Sequence, residues 1–284
     1  TNGKIDRKKL ATYRLPLDEK PASGSENLNE QKIVEAFRTI VDVPVDAETD
    51  FFAAGGNSLA ALELLASLET SWGIRVSLAT IFTHSTPRAL AQAIGGEQSD
   101  DFAPLLPLRK SAGDEPPVIF FPPAGGLGWC YYSFLPYIPA ERSVWTVQAP
   151  QYESPHAEAS TSIHEMAERY FEVLKHEKLA LNGAILVGWS LGGMVAFELA
   201  SLAESHGEKP AHVVLLDAYP QKYWREREEP TGKEVWLAIA RMGGVEPEES
   251  DLNQHAIISL LQMRGTALGY LSSEHLTTCI DQVR

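Results

Sequence analysis

The sequence predicts two folded domains of different class, an all-α domain followed by an α/β domain. Apolar residues recur at helical spacing through residues 26–96, which is typical of a bundle of short amphipathic helices. From residue 117 onward, short apolar runs alternate with longer helical patterns, as expected for a mostly parallel sheet covered on both faces. A polar segment with several prolines, residues 97–116, separates the two patterns and is predicted to be a linker.

The first domain is predicted to contain four helices. Asn27–Glu30 can cap the first helix, and the second starts near Ser58. A short segment, Leu78–Phe82, follows, and Pro87 occupies a favoured first-turn position of the last helix. The two longer helices place apolar residues on one face, namely Ile33, Val34, Phe37, Ile40 and Val41 in the first, and Leu59, Leu62, Leu65, Ala66 and Leu68 in the second.

Four apolar runs are the predicted strands of the second domain. Helical patterns at 163–174 and 191–203 lie between the last three runs, and this alternation is typical of parallel strands joined by helices. The predicted strands are Val118–Phe121, Ser143–Val147, Ala184–Val187 and His212–Leu216.

Composition narrows the function. The 284-residue chain has a net charge of -14, which argues against a nucleic-acid partner because such partners need a basic surface. Two cysteines do not form a disulfide framework, so a reducing cytoplasm is the expected location. No apolar run is long enough to span a bilayer, and no signal-peptide core follows the polar start at Thr1–Arg7. We expect neither a membrane partner nor a metal site.

Ser190 has the sequence context of a nucleophile. Gly188-Trp189-Ser190-Leu191-Gly192 follows an apolar strand and precedes an amphipathic helix, as a nucleophile elbow requires. A serine on so tight a turn needs small neighbours, and the glycines supply them. The alternative is a small-residue turn without a catalytic role.

Three further residues are candidates for the same site. Asp217 ends the next strand, from which an acid can orient a histidine, although it is also a plausible turn or cap residue. The backbone N–H of Leu191 lies at a helix N-terminus and is a natural oxyanion donor. The glycine-rich segment after Phe121 makes the N–H of Ala124 the second candidate donor, the alternative being a plain strand-exit turn.

The histidine of such a site is harder to assign. The expected chain order is serine, acid and then histidine. His255 lies in a predicted helix, and His275 has no apolar strand before it. We expect both to be surface or cap histidines.

Ser58 has a different context. Asp50–Phe52 and then Gly55-Gly56-Asn57-Ser58-Leu59 place this serine at a loop-to-helix junction, where a phosphodiester would lie at a helix N-terminus. Ser58 could instead be a plain helix N-cap. Together with the helix order over 26–96, the motif resembles the peptidyl carrier domains. The resemblance implies a 4′-phosphopantetheine arm attached covalently to Ser58.

The first residues carry a second resemblance. Asn2–Arg7 is similar to the closing motif of the adenylation domains of nonribosomal peptide synthetases. In that family the lysine matching Lys4 contacts the acid substrate and the nucleotide phosphate. Because the rest of that domain is absent from this sequence, we expect Lys4 to be inert. Residues 1–25 are interpreted as an adenylation-domain tail and linker.

The second domain, residues 117–284, resembles the terminal thioesterases of those synthetases, with the similarity starting near Pro104. It implies an α/β-hydrolase fold in which Ser190 is the nucleophile, Asp217 the acid, and Ala124 and Leu191 the oxyanion donors.

The resemblance also implies a helical lid at about 219–283. Several apolar lid residues would cover the acyl site or pack between the lid helices, namely Trp224, Trp236, Leu237, Ile239, Met242, Leu260, Leu261 and Leu268. The family continues after its lid with two strands, a histidine loop and a helix. We therefore expect the domain to be truncated and the triad histidine to lie beyond Arg284.

Together these resemblances imply the termination step of nonribosomal peptide synthesis. Ser58 would hold the peptide as a thioester, and Ser190 would take it as an ester and release it by hydrolysis or macrocyclisation. The implied partners are a phosphopantetheinyl transferase, upstream adenylation and condensation domains, and the thioesterase on which the carrier docks. Two alternatives are a docking module whose hydrolase-like domain binds the arm without turnover, and a free esterase fused to a carrier.

Overall fold

The computed structural model describes residues 28–95, 100–154, 157–158, 160–219, 231–242, 245–248, 253–263 and 271–283. Several residues singled out from the sequence lie outside these ranges, namely Asn2–Arg7 with Lys4, Asn27, Trp224 and Leu268. In the described part of the chain, no helix is both long and apolar enough to cross a membrane.

Four helices form the first domain: α1 (Leu28–Ile40), α2 (Ser58–Trp72), α3 (Leu78–Thr83) and α4 (Pro87–Ala93). The two short helices begin at side-chain caps, because Ser77 accepts a hydrogen bond from Thr80 N and Thr86 accepts one from Ala89 N. Helix α1 packs against both α2 and α4. The predicted helical bundle is confirmed, with a core that includes Ile33, Phe37, Phe51, Leu64, Leu68 and Leu90.

A five-stranded sheet forms the second domain. Its spatial order is β1-β3-β2-β4-β5, with β1 antiparallel to β3 and all other neighbours parallel. The strands are β1 (Leu105–Arg109), β2 (Val118–Phe121), β3 (Val144–Val147), β4 (Ile185–Trp189) and β5 (His212–Leu216).

Both faces of the central strands are covered, whereas the edge strand β5 is largely exposed. Helices α5 (Ile163–His176) and α6 (Leu191–Ser205) pack together, in one buried cluster with Ile119 and Phe121 of β2. Because side chains alternate along a strand, Val118 and Phe120 belong to another cluster, which includes the 3₁₀ helix η1 (Trp129–Tyr137). A second short 3₁₀ helix, η2, spans Pro150–Tyr152. The predicted α/β class is confirmed.

Strand β1 lies inside the segment that the sequence predicts to be a linker. Leu106 and Leu108 are buried, whereas Pro107 interrupts the apolar run and masks its strand character in the sequence. Proline is tolerated here because β1 is an edge strand, and the β1–β3 register shifts between Pro107 and Arg109. The sheet domain therefore begins before residue 117, and the prediction of a linker throughout 97–116 is wrong at this strand.

Within the predicted lid, the described residues form three helices: α7 (Gly232–Met242), α8 (Gln254–Met263) and α9 (Ser273–Val283). Trp236, Ile239 and Leu261 are buried, and α8 packs against both α7 and α9. These buried contacts agree with packing between lid helices, the second of the two roles expected for the apolar residues.

Candidate functional site

Ser190 stands on a strained turn between the end of β4 and the start of α6. Its φ of 54° and ψ of -120° are unusual for a residue with a side chain. Backbone strain of this kind costs about 1–3 kcal/mol and persists only where the surroundings enforce it. The predicted elbow geometry is therefore present at Ser190.

The flanking glycines are required by close backbone packing. A Cβ atom added at Gly188 would lie 2.1 Å from the Gly192 carbonyl oxygen. One added at Gly192 would lie 2.1 Å from the carbonyl oxygen of Phe121 and 2.6 Å from that of Pro122. The turn closes against the end of β2 only because these positions lack side chains.

Asp217 lies beside the elbow on the neighbouring strand. Trp189 pairs with Leu216 in the parallel β4–β5 ladder, and the Ser190 N–H donates to the Leu216 carbonyl at 2.9 Å. Asp217 follows directly, is exposed, and also has a positive φ, of 45°. The backbone thus brings the serine and the acid predicted from the sequence to adjacent strand ends.

The proposed oxyanion donors lie at the same edge of the sheet. Ala124 lies in a turn closed by the bond from Gly126 N to the Pro123 carbonyl at 3.0 Å. The next residue, Gly125, has a φ of 99° and accepts a hydrogen bond on its carbonyl from the Tyr152 hydroxyl at 2.5 Å. Leu191 begins α6, where first-turn N–H groups have no partner within the helix. Its N–H therefore needs a partner from outside the helix, as the predicted oxyanion role requires.

The loop before Ser58 is built to present the start of α2. Gly55 has a φ of 103°, and a Cβ atom at Gly56 would lie 2.4 Å from the Phe51 ring. The Asn57 side chain accepts a hydrogen bond from Ala60 N at 3.0 Å. Asn57 therefore fills the capping role, and Ser58 becomes the first residue of the helix.

Comparison with known proteins identifies both domains. The thioesterase domain family matches residues 116–275, which is more than half of the chain. The chain belongs to the thioesterase domain family. The phosphopantetheine attachment site family matches residues 31–94, so the helical domain is a carrier domain for a covalently bound 4′-phosphopantetheine. The thioesterase domain is of the serine-hydrolase type.

Similar proteins are nonribosomal peptide synthetases. A dimodular nonribosomal peptide synthase of Bacillus subtilis (strain 168) is 31% identical over 280 residues, which cover 95% of this chain and 11% of that protein. Enterobactin synthase component F of Escherichia coli O157:H7 is 33% identical over 237 residues, covering 80% of this chain and 18% of that protein. The chain thus spans less than a fifth of these relatives.

A solved structure of similar fold has a related description. It is a four-domain nonribosomal peptide synthetase bound to AMP and glycine, with a TM-score of 0.53 and 21% identity. The match covers 99% of this chain and 22% of that one, and it supports the fold alone.

The carrier domain contacts the thioesterase domain through stacked aromatic rings. Phe82 lies between Phe52 of the carrier loop and Tyr132 of η1, with ring centroids 4.5 Å and 3.9 Å apart. Stacking of this kind adds about 0.5–1.5 kcal/mol per pair beyond the buried area. The stack joins the loop that precedes Ser58 to the covered face of the sheet.

Asp101 forms a second link between the domains. Its carboxylate accepts hydrogen bonds from Leu78 N at 2.6 Å and Ala79 N at 3.4 Å, at the start of carrier helix α3. Its backbone carbonyl accepts bonds from Trp129 Nε1 and Gln148 Nε2 of the thioesterase domain, both at 2.9 Å. Asp101 lies in the polar, proline-containing segment that the sequence predicts to be a linker, and nothing in that segment predicts this role.

Burial raises the pKa of Asp101 to about 6, although the Leu78 and Ala79 N–H groups act in the opposite direction. Released into solvent, this carboxyl would return to its ordinary pKa near 3.8. The docked state therefore binds the proton more tightly. The stabilisation of the docked state by Asp101 should be greatest below about pH 4, decrease between about pH 4 and pH 6, and stay constant at its lower value above pH 6.

Energy transfer between dyes on exposed carrier and thioesterase positions would measure this profile. Cysteines introduced at the exposed positions Glu35 and Glu177 would carry the dyes. The native cysteines should react slowly with the dyes, because burial raises the pKa of Cys279 and raises that of Cys130 to about 12. Asp101→Asn should remove the pH-dependent step, whereas Asp114→Asn at an exposed position should keep it. A step that persists in Asp101→Asn would contradict the assignment.

His255 and His275 lie on the helices that follow the sheet. His255 is exposed on α8, and the His275 ring packs on Phe102 with centroids 3.7 Å apart. Burial lowers the pKa of His275 against the opposing charges of Glu274 and Asp100. Among the described residues, no hydrogen bond joins either histidine to Ser190 or Asp217.

Proposed function

We propose that this chain ends the assembly of a nonribosomal peptide by releasing the acyl chain that its own carrier domain holds. The observation that carries the proposal is the strained Ser190 elbow with Asp217 on the adjacent strand end, in a chain that also contains a carrier domain. The elbow supports acyl transfer, and the carrier supports a thioester as the substrate class.

Ser58 is the proposed attachment point of the 4′-phosphopantetheine group. The residues around it fit a phosphodiester, because Asn57 caps the helix and leaves position 58 in the first turn, where the helix dipole favours an anion. Gly55 supplies the positive φ, of 103°, and Gly56 the close approach to Phe51 that the preceding loop requires. When bound, the group supplies a thiol that carries the acyl chain as a thioester.

Ser190 is the proposed nucleophile. Its Oγ would attack the carbonyl of the thioester, the C–S bond would break with the serine proton passing to the departing sulfur, and Ser190 would carry the acyl chain as an ester. Water or an internal amine or hydroxyl group then attacks the ester and returns a proton to Oγ. Attack by water gives a free acid, and internal attack gives a ring.

The other proposed site residues stabilise this chemistry. The N–H groups of Ala124 and Leu191 bind the oxyanion of the tetrahedral intermediate, a contribution typically worth about 10²–10³ in kcat per donor. Asp217 orients the histidine that accepts the Ser190 proton, and we place that histidine outside the described residues. The lid over the acyl site comprises about residues 219–283.

The proposed partners follow from the two domains. A phosphopantetheinyl transferase loads Ser58, upstream adenylation and condensation domains build the peptide, and the thioesterase domain receives it. The proposed domain limits are 26–96 for the carrier and about 104 to the end for the thioesterase, following a tail at 1–25.

Loading of Ser58 is tested by mass spectrometry. The complete protein is incubated with a phosphopantetheinyl transferase and an acyl-coenzyme A, and the intact mass and released acid are measured. We expect the wild type and Ser71→Ala, at the far end of α2, to gain the arm and release product. Ser58→Ala should gain no mass and release nothing.

Three outcomes would contradict the proposal. Loading of Ser58→Ala would place the arm elsewhere. Complete loading without release, and without labelling of Ser190 by a fluorophosphonate, would favour a docking module that binds the arm without turnover. Rapid hydrolysis of simple esters by Ser58→Ala would favour a free esterase fused to a carrier.

A further inference from the structure

The hydroxyl of Tyr131 lies where strands β2 and β4 approach the catalytic edge. The ladder between them starts with the bond from Ile185 N to the Pro117 carbonyl at 3.0 Å. Along two parallel strands, the same strand donates a backbone hydrogen bond at every second residue. Counting from Ile185 along β4, Trp189 N would be the last donor of this ladder and the Phe121 carbonyl its acceptor. The Tyr131 hydroxyl accepts from Trp189 N at 3.0 Å and donates to the Phe121 carbonyl at 2.5 Å.

Tyr131 is itself held rigidly. It belongs to η1, is only 1% exposed, and stacks on Phe120 with ring centroids 4.3 Å apart. Burial raises its pKa far above the ordinary value, with the charge of Cys130 acting in the same direction. The hydroxyl therefore stays protonated at neutral pH and can donate and accept at once.

Both partners of this hydroxyl adjoin the reacting groups. Trp189 directly precedes Ser190, and Phe121 ends the strand that leads into the turn with Ala124. The elbow also packs on the same carbonyl, because a Cβ atom at Gly192 would lie 2.1 Å from the Phe121 oxygen. The position of that carbonyl thus sets the separation between the nucleophile and the oxyanion donor.

We propose that Tyr131 is a positioning residue that fixes the Ser190 elbow relative to the Ala124 oxyanion donor. The inference rests on the proposed acyl-transfer function and deepens it. Oxyanion stabilisation needs donors at about 2.7–3.1 Å, and a displacement of about 1 Å can cost roughly 10²-fold in rate. The effect should fall on the transition state and leave substrate binding unchanged.

The test compares Tyr131→Phe with Tyr137→Phe in the complete protein, using an acyl thioester substrate. Tyr137 ends the same helix η1 and is 86% exposed, so it is a control for the same chemical change. We expect Tyr131→Phe to lower kcat about 10- to 100-fold with KM unchanged. Tyr137→Phe should keep the wild-type kcat, and fluorophosphonate should still label Ser190 in both.

Incorporation of 4-aminophenylalanine at position 131 supplies the rescue, because its amine both donates and accepts. Recovery of most of kcat supports the proposal, and this variant decides alone if Tyr131→Phe does not fold. A kcat for Tyr131→Phe within about threefold of the wild type, or a loss confined to KM, would overturn the proposal. So would a folded aminophenylalanine variant with kcat still tenfold low. An inactive wild type would instead contradict the acyl-transfer function itself.

Discussion

Replacing Ser190 with alanine is expected to lower the rate of acyl release by about 10⁴-fold or more while leaving the fold intact. Loss of the nucleophile in a serine hydrolase typically costs on the order of 10⁶ in kcat. Alanine can occupy the same strained backbone, since the φ of 54° is enforced by the surrounding packing. Release from the loaded wild-type and variant proteins, followed by chromatography, measures the effect.

Ser201→Ala is the matched control for this experiment. Ser201 is an exposed residue of the same helix, α6, and its removal should leave release and thermal stability unchanged. The Ser190→Ala protein should also stay fully loaded at the carrier. Release by Ser190→Ala at the wild-type rate would show that another group attacks the thioester.

Gly192→Ala is expected to disrupt both stability and catalysis. Alanine normally stabilises a helix by up to about 1 kcal/mol relative to glycine. Here its Cβ atom would lie 2.1 Å from the Phe121 carbonyl oxygen and 2.6 Å from that of Pro122, and neither backbone atom can move aside cheaply. We expect a loss of about 3 kcal/mol in the free energy of unfolding, at the upper end for overpacking, and at least about 100-fold in kcat.

Gly232→Ala provides the comparison for the same chemical change. Gly232 also lies in the first turn of a helix, α7, but a Cβ atom there meets nothing within 4 Å. We expect its stability to equal that of the wild type or to exceed it by up to about 1 kcal/mol, with kcat unchanged. Denaturant unfolding and single-turnover kinetics measure both variants, and a Gly192→Ala protein as stable and active as Gly232→Ala would refute the tight elbow.

The functional residues that the sequence could predict share a local signature. Ser190 is flanked by glycines between an apolar strand and a helix, and Asp217 directly follows the next strand. Parallel strands bring their carboxyl ends to one edge, so the strand order alone places these residues together. Ser58 likewise follows a glycine pair at the start of a helix.

The residues that the sequence could not reveal act through long-range contacts. Tyr131 reaches Trp189 across 58 positions of the chain, and Asp101 reaches Leu78 across 23 positions of it. Nothing in their immediate neighbours distinguishes a tyrosine in an aromatic run or an aspartate in a polar segment. Strand β1 was missed for a related reason, because Pro107 makes an edge strand look like a linker.

The proposed acyl transfer depends most directly on an ester at Ser190. The loaded complete protein would be quenched in acid within a single turnover, digested, and mapped by mass spectrometry. We expect the acyl mass on the peptide that contains Ser190, absent in Ser58→Ala and rising before product appears. Product release from the loaded wild type with the acyl group found only on the carrier peptide throughout would contradict the account.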